Sequence, residues 1–177
     1  SVSGFAVGTG TLKAVPSSPL ALGYSPAAMV VTPSNSFLYV AGPASINVYS
    51  IGTDGSLTVP SNGSTVAVAT VVSLDVSPDG NWLFGLDGLQ QLLDVYQINT
   101  STGGLTAVGA VPYPIVDGVW IPRMVRVSPN GALVFAALGT AGDAIFTFNT
   151  ATGVAVHVEH LNLTTNTFNS TPFITVS

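Results

Sequence analysis

The chain has 177 residues, of which 47% are hydrophobic and only 6% are charged, and eight acidic against three basic residues give a net charge of −5. A nucleic-acid groove needs several clustered cations, and Lys13, Arg123 and Arg126 are too few for a nucleic-acid partner. The absence of cysteine excludes thiolate metal sites, cysteine nucleophiles and disulfides. No apolar run reaches the roughly 18 to 20 residues of a membrane-spanning helix, so we expect no membrane span.

The predicted elements repeat along the chain. Residues 2–7 and 8–15 predict two opening strands. A hairpin then occurs three times, with Pro and a turn pair between two strand-forming runs, at residues 33–40, 78–85 and 129–136. An alternating run containing Tyr or Phe follows each hairpin, and a fourth strand signal starts after Gly55, Gly104 or Gly153. Each repeat therefore carries four strand signals.

A period of roughly 45 to 50 residues with four short strands is typical of propeller blades. The sequence predicts an all-β fold, a β-propeller of four-stranded antiparallel blades with about three complete blades and partial blades at both ends. We expect residues 1–177 to form a single propeller segment, divided into a partial blade 1–23, three blades 24–69, 70–115 and 116–166, and the start of another blade at 167–177. A closed ring needs about four blades or more, so the remainder of the propeller or a second copy of the chain is the expected partner.

Three segments resemble a known family. Residues 37–41 (Phe-Leu-Tyr-Val-Ala) and the Val-Ser-Pro-Asp/Asn-Gly runs at 76–80 and 127–131 resemble the repeats of seven-bladed lactonase-type propellers and of their relatives with Tyr-Val-Thr-Asn repeats. The resemblance covers nearly the whole chain and implies the architecture.

A fourth segment, residues 122–131, bears on activity. It resembles the Pro-Arg-His segment of propeller-type phosphogluconolactonases, whose Arg and His belong to the proposed active site. The resemblance implies a catalytic role for Arg123. Met124 stands where the His would be, and a thioether cannot act as a general base.

The most distinctive predicted loop spans residues 111–121, at the end of a blade. Functional residues gather on such loops, and we predict that Tyr113, Asp117 and Trp120 contact a ligand. The other recurring aromatic residues are predicted to pack between blades; they are Tyr39, Tyr49, Trp82, Phe84, Tyr96, Phe135, Phe146 and Phe148.

Titratable residues are few and scattered. His157 and Glu159 would share one face of a regular strand and His160 the other, and two ligands are too few for a transition-metal site. Asp79 is predicted to shape its Pro-Asp-Gly turn. Asp75, Asp87, Asp94, Asp117 and Asp143 form no calcium-loop pattern, although Asp87 or Asp143 could offer oxygen ligands to Ca²⁺. We expect no metal site and no cofactor.

Two functions remain open. The shortage of titratable groups favours a non-catalytic binding or structural scaffold, with a protein or glycan as its ligand. The resemblance implies a lactonase that hydrolyses a sugar lactone. The low charge and the abundance of Thr, Ser and Asn favour a secreted, periplasmic or cell-surface location.

Overall fold

A computed structural model describes residues 1–60, 65–68, 70–113, 120–139 and 141–161, with Trp120 and Ile121 described by their backbone only. The described residues form fifteen β-strands and no helix, and hence no helix that could cross a membrane. The predicted strand at the start of a further blade, in residues 167–177, lies outside the described part.

The strands form four antiparallel sheets in chain order. A two-stranded sheet opens the chain, with β1 (Phe5–Val7) and β2 (Leu12–Ala14). The next sheet contains β3 (Ala28–Val31), β4 (Phe37–Ala41), β5 (Ser45–Ile51), β6 (Leu57–Thr58) and β7 (Thr65–Ala67). The third contains β8 (Val71–Val76), β9 (Trp82–Asp87), β10 (Leu92–Ile98) and β11 (Leu105–Pro112). The last contains β12 (Trp120–Val127), β13 (Leu133–Gly139), β14 (Asp143–Asn149) and β15 (Val154–Leu161).

Each of the three larger sheets is a blade whose strands pair in sequence order. In the first blade the outer position is shared, because β6 pairs with one end of β5 and β7 with the other. The first strands of the blades lie side by side along the inner side, where β8 contacts both β3 and β12. The predicted all-β fold with propeller blades is confirmed.

The three hairpin turns use the chemistry that their sequences predict. Gly80 and Gly131 have φ values of 75° and 73°, and Asn35 takes the same left-handed position in the first repeat with φ 56°. Asp79 accepts a hydrogen bond from the backbone N–H of Asn81 at 3.1 Å. The prediction that Asp79 shapes its turn through local hydrogen bonds is confirmed.

The hydrophobic core lies between blades. Side chains of the first and second blades form one cluster, which includes Phe37, Tyr39 and Tyr96. The second and third blades form another, in which the Phe148 ring meets Phe84 edge to face at 4.8 Å. The predicted packing role of the aromatic residues is confirmed for seven of the eight, and Phe135 is only half-buried.

Side chains from the second blade accept hydrogen bonds from backbone N–H groups on the inner strand of the third blade. The Ser73 hydroxyl accepts a hydrogen bond from Val125 N–H at 3.1 Å, and the Asp75 carboxylate accepts one from Val127 N–H at 2.8 Å. An inner strand has no further strand beside it, so these N–H groups would otherwise lack a partner within the sheet. Burial raises the pKa of Asp75, and its hydrogen bonds and the charge of Arg126 oppose this.

Candidate functional site

We call the end of the blades that carries the β9–β10 turn, residues 87–91, the upper rim. Asp87 orders this turn. Its Oδ1 accepts hydrogen bonds from the backbone N–H groups of Leu89 and Gln90, both at 2.7 Å, and its Oδ2 accepts one from Thr70 at 3.3 Å. Only 2% of Asp87 is exposed. The turn is therefore tied to the link that enters the second blade.

Tyr113 ties the link leaving the second blade to the same turn. Its hydroxyl donates a hydrogen bond to the backbone carbonyl of Asp87 at 2.7 Å, and its N–H donates one to the carbonyl of Gln91 at 3.2 Å. The ring belongs to the core between the second and third blades and is 2% exposed. Burial raises the pKa of the phenol, and the charges of Asp87 and Asp94 raise it further. Packing covers almost all of the ring surface. Contact of Tyr113 with a ligand stays a prediction.

Arg123 lies at the same rim, on β12, and its side chain is exposed. The preceding Pro122 abuts the turn, since a Cβ built on Gly88 would lie 3.4 Å from Cγ of Pro122. Met124 is partly buried and pairs with Ala137 in the sheet. Among the predicted ligand contacts, Asp117 lies outside the described residues, and only the backbone of Trp120 is described, paired with Gly139.

A cleft of about 400 Å³ opens at the upper rim between the first and second blades. Its lining contains Ala67 and Val68 from the first blade and four residues from the second, which are Asp87, Gln90, Asp94 and Tyr96. This volume lies within the range of small-molecule sites, about 300 to 1,000 Å³. The cleft therefore combines two carboxylates, an amide and a phenol beside an apolar wall.

Asp94 is the titratable group of this cleft. Burial raises its pKa to about 6, the nearby charge of Asp87 adds to the rise, and the neighbouring Tyr96 hydroxyl opposes it. At neutral pH, Asp94 is therefore mostly a carboxylate that takes up a proton more readily than an ordinary Asp. Such a group can act as a general base, because proton transfer is most efficient when the pKa lies near the working pH.

Sequence reasoning placed Asp94 among scattered carboxylates and did not single it out. A signal was present in the repeats, because the second blade has a carboxylate, Asp94, where the other two blades have Asn47 and Ile145. The effect of the Asp87 charge on Asp94 depends on the pairing of β9 with β10, which places the two residues on adjoining strands.

The expected arrangement of His157, Glu159 and His160 was wrong. A bulge at Val158 shifts the register, so that His157 pairs with Phe146 and His160 with Ala144. The two histidines therefore share the face that is turned into the blade interface, and Glu159 is exposed. His160 Nε2 lies 2.7 Å from the Ala141 carbonyl, and the His157 ring meets Phe146 edge to face. No group of three metal-ligating side chains occurs in the described ranges.

The comparisons with solved structures agree with the propeller fold. The chain is similar to the periplasmic gluconolactonase PpgL of Pseudomonas aeruginosa, with a TM-score of 0.69 and 20% identity over 86% of this chain and 44% of that one. It is also similar to a candidate 6-phosphogluconolactonase from Bacteroides fragilis, with a TM-score of 0.63 and 22% identity over 81% and 41% of the two chains. A Lactobacillus plantarum protein matches with a TM-score of 0.64 and 20% identity over 78% and 42%.

The chain thus spans less than half the length of these structures, and at such identities the likeness concerns the fold. No curated protein matches its sequence. The family model described as "Lactonase, 7-bladed beta-propeller" matches residues 1–162. The antiparallel blades of the structure agree with this match. The chain therefore belongs to the lactonase family of seven-bladed β-propellers.

Proposed function

We propose that the protein containing this chain is a hydrolase of an uncharged sugar lactone, with Asp94 as the general base. The observation that carries the proposal is the cleft at the upper rim, in which Asp94 lies beside Asp87. Membership of the lactonase family and the gluconolactonase among the similar structures support the choice of substrate class. The periplasmic location of that relative supports export of this protein as well.

The chemistry requires a proton acceptor and a polarised carbonyl. The Asp94 carboxylate would take a proton from a water molecule, whose oxygen attacks the lactone carbonyl carbon. The ring C–O bond then breaks, and the departing oxygen recovers a proton to give the open-chain hydroxy acid. The Tyr96 hydroxyl, which lies near enough to Asp94 to lower its pKa, would orient the carboxylate for this transfer.

The electrostatics of the cleft favour a neutral substrate. Two carboxylates line it, and no basic residue occurs among its described lining residues. A phosphorylated lactone would meet like charge there, which costs free energy in a partly desolvated site. Arg123, on the third blade, stands across the 87–91 turn from the cleft. It would act on a substrate only if the site extends along the rim towards Pro122.

A second candidate is a non-catalytic binding propeller. Met124 in place of the family's His is the observation that favours it, together with the use of Asp87 and Asp79 for turn structure. Under this alternative the same cleft would bind the sugar without turnover. The remaining blades, supplied by the rest of the polypeptide or by a second copy, would complete the rim in both cases.

The test is turnover of glucono-1,5-lactone by the natural protein, corrected for spontaneous opening. We expect Asp94→Asn to lower kcat by about 10²-fold or more, because general-base catalysis contributes that much. The wild-type kcat should fall as the pH drops below about 6, where Asp94 becomes protonated. Asp54→Asn is the matched control, since Asp54 is fully exposed in another turn.

Three outcomes would separate the alternatives. Loss of turnover in Arg123→Ala but not in Asp94→Asn would remove Asp94 as the base and keep the lactonase assignment. Saturable lactone binding without turnover would establish the binding propeller instead. Neither binding nor turnover would exclude this substrate class.

A further inference from the structure

A second cleft lies at the opposite end of the blades, which we call the lower rim. It has a volume of about 440 Å³ and opens between the first and second blades, beside the turns at 33–36 and 99–104. Among the described lining residues, the polar side chains are all hydroxyl-bearing: Ser36, Ser50, Thr58, Ser101 and Thr102. Phe37, Val59 and Pro60 supply the apolar part. No charged side chain occurs in this described lining.

The hydroxyl groups are available to a ligand. Within the described ranges, the side chains of Ser36, Ser50 and Ser101 make no hydrogen bond to the protein. The Thr102 hydroxyl accepts a hydrogen bond from Gly104 N–H at 3.2 Å, which leaves its own O–H free to donate. Each hydroxyl offers one donor and two acceptor positions.

The next blade interface shows why the cleft exists. Trp82 occupies the position that matches Phe37, and its indole Nε1 donates a hydrogen bond to the Thr150 carbonyl at 2.9 Å. Each ring lies against a glycine of the following blade. A Cβ on Gly153 would lie 2.4 Å from Cζ3 of Trp82, and one on Gly103 would lie 2.6 Å from Cδ1 of Phe37.

The two interfaces therefore have the same construction with rings of different size. Phe37 lacks both the second ring and the N–H donor of Trp82. The carbonyl of Thr100, which matches that of Thr150, receives no indole hydrogen bond, and space remains beside Phe37. Ser101 faces this space where the next interface has Ala151.

We propose that this lower-rim cleft is a binding site for an uncharged carbohydrate. A sugar ring presents hydroxyl groups at its edge and C–H groups on its faces. The serine and threonine hydroxyls match the edge, while Phe37, Val59 and Pro60 match a face. A charged ligand would find no counter-ion in the lining, and 440 Å³ accommodates a ring of this size. The site lies on the opposite rim from the Asp94 cleft and does not depend on the lactonase proposal.

The repeat itself supplies the test variant. Phe37→Trp combined with Ser101→Ala reproduces two residues of the next interface and should therefore fold. The indole should occupy the cleft and donate to the Thr100 carbonyl. Thr53→Ala serves as the control, because Thr53 is an exposed hydroxyl residue of the same rim outside the lining.

The probes are the methyl glycosides of glucose, mannose and galactose, together with N-acetylglucosamine, titrated into the natural protein and followed by ligand-observed NMR. We expect at least one to bind with a Kd in the millimolar range, and the double variant to weaken that binding at least tenfold. Lactone turnover should be unchanged in the double variant, and thermal melting should confirm that it folds.

Three results would overturn the proposal. The first is that no probe binds with a Kd below about 10 mM. The second is that a probe binds the double variant as tightly as the wild type. The third is that methyl glucuronide or glucosamine binds better than every neutral probe, because a preference for charge contradicts the uncharged lining.

Discussion

Asp94 shows how one residue is placed at a cost to stability. Its pKa of about 6 lies above the ordinary value of 3.8, because burial and the charge of Asp87 disfavour its ionised form. Below pH 3.8 the carboxyl is protonated in both the folded and the unfolded state. As the pH rises towards 6 the unfolded state ionises first, so the folded state loses stability over this window.

Asp94→Asn should therefore stabilise the protein at neutral pH. Allowing for solvent screening of a partly exposed group, we expect a gain of about 1 kcal/mol in the free energy of unfolding at pH 7.5, and no gain at pH 3.5. Urea denaturation at the two pH values measures this. Asp54→Asn should give no gain, because hydrogen bonds from Ser56 lower the pKa of Asp54. An equal gain at both pH values would show that burial of charge is not the cause.

At the scale of elements, a blade is held to its neighbour by contacts between a ring and a glycine. Gly153, in the turn between β14 and β15, has a φ of 75° and lies against Trp82. The glycine thus serves two purposes. It allows the left-handed backbone conformation, and it leaves the space in which the indole reaches the Thr150 carbonyl.

Gly153→Ala should be more destabilising than its backbone conformation alone explains. Gly23 is a matched control, because it also has a φ of 75° and a Cβ there would have no neighbour within 4 Å. We expect Gly23→Ala to cost about 1 kcal/mol through backbone strain, and Gly153→Ala about 2 to 4 kcal/mol because the ring must also move. Thermal and urea denaturation compare the two. Equal costs would mean that the interface accommodates the methyl group freely.

At the scale of the whole molecule, both ends of the row of blades are apolar. At one end, Met29 and Val31 on β3 are 61% and 43% exposed. At the other, Val154 and Val156 on β15 are 54% and 51% exposed. The side chains that match Met29 and Val31 inside the row are Leu74 and Val76, and both are buried in the core between blades. A further blade beside β3 would cover Met29 and Val31 in the same way.

We expect the ends to be covered in the natural particle. Carbene footprinting of the intact protein should leave Met29 and Val31 protected, whereas Leu89, which is 68% exposed on the upper rim, should be labelled. Native and denatured mass spectrometry would then tell whether the cover comes from the same polypeptide or from a second 17.9 kDa chain. Labelling of Met29 as strong as that of Leu89 would contradict the expectation of a closed ring.

Local residue chemistry determined the strands and their turns. The Pro-Asp-Gly and Pro-Asn-Gly sequences specify tight turns whose backbone only a few residues adopt, and the alternation of residues such as Phe146 and Phe148 identifies a buried face. These signals act between near neighbours, so they can be read directly. The repeats at 37–41, 76–80 and 127–131 carried the resemblance to the family. The resemblance of residues 122–131 drew attention to Arg123, whose catalytic role stays a prediction.

Tertiary structure decided the arrangements that depend on contacts between distant residues. Asp94 acquired its altered pKa from a turn and a blade interface, and Tyr113 proved to be a buried anchor of that turn. The bulge at Val158 placed both histidines on one face, because one extra residue in a strand shifts its alternation. The lower-rim cleft likewise depends on which ring, Phe37 or Trp82, meets the glycine of the next blade. Sequence alone does not bring those residues together.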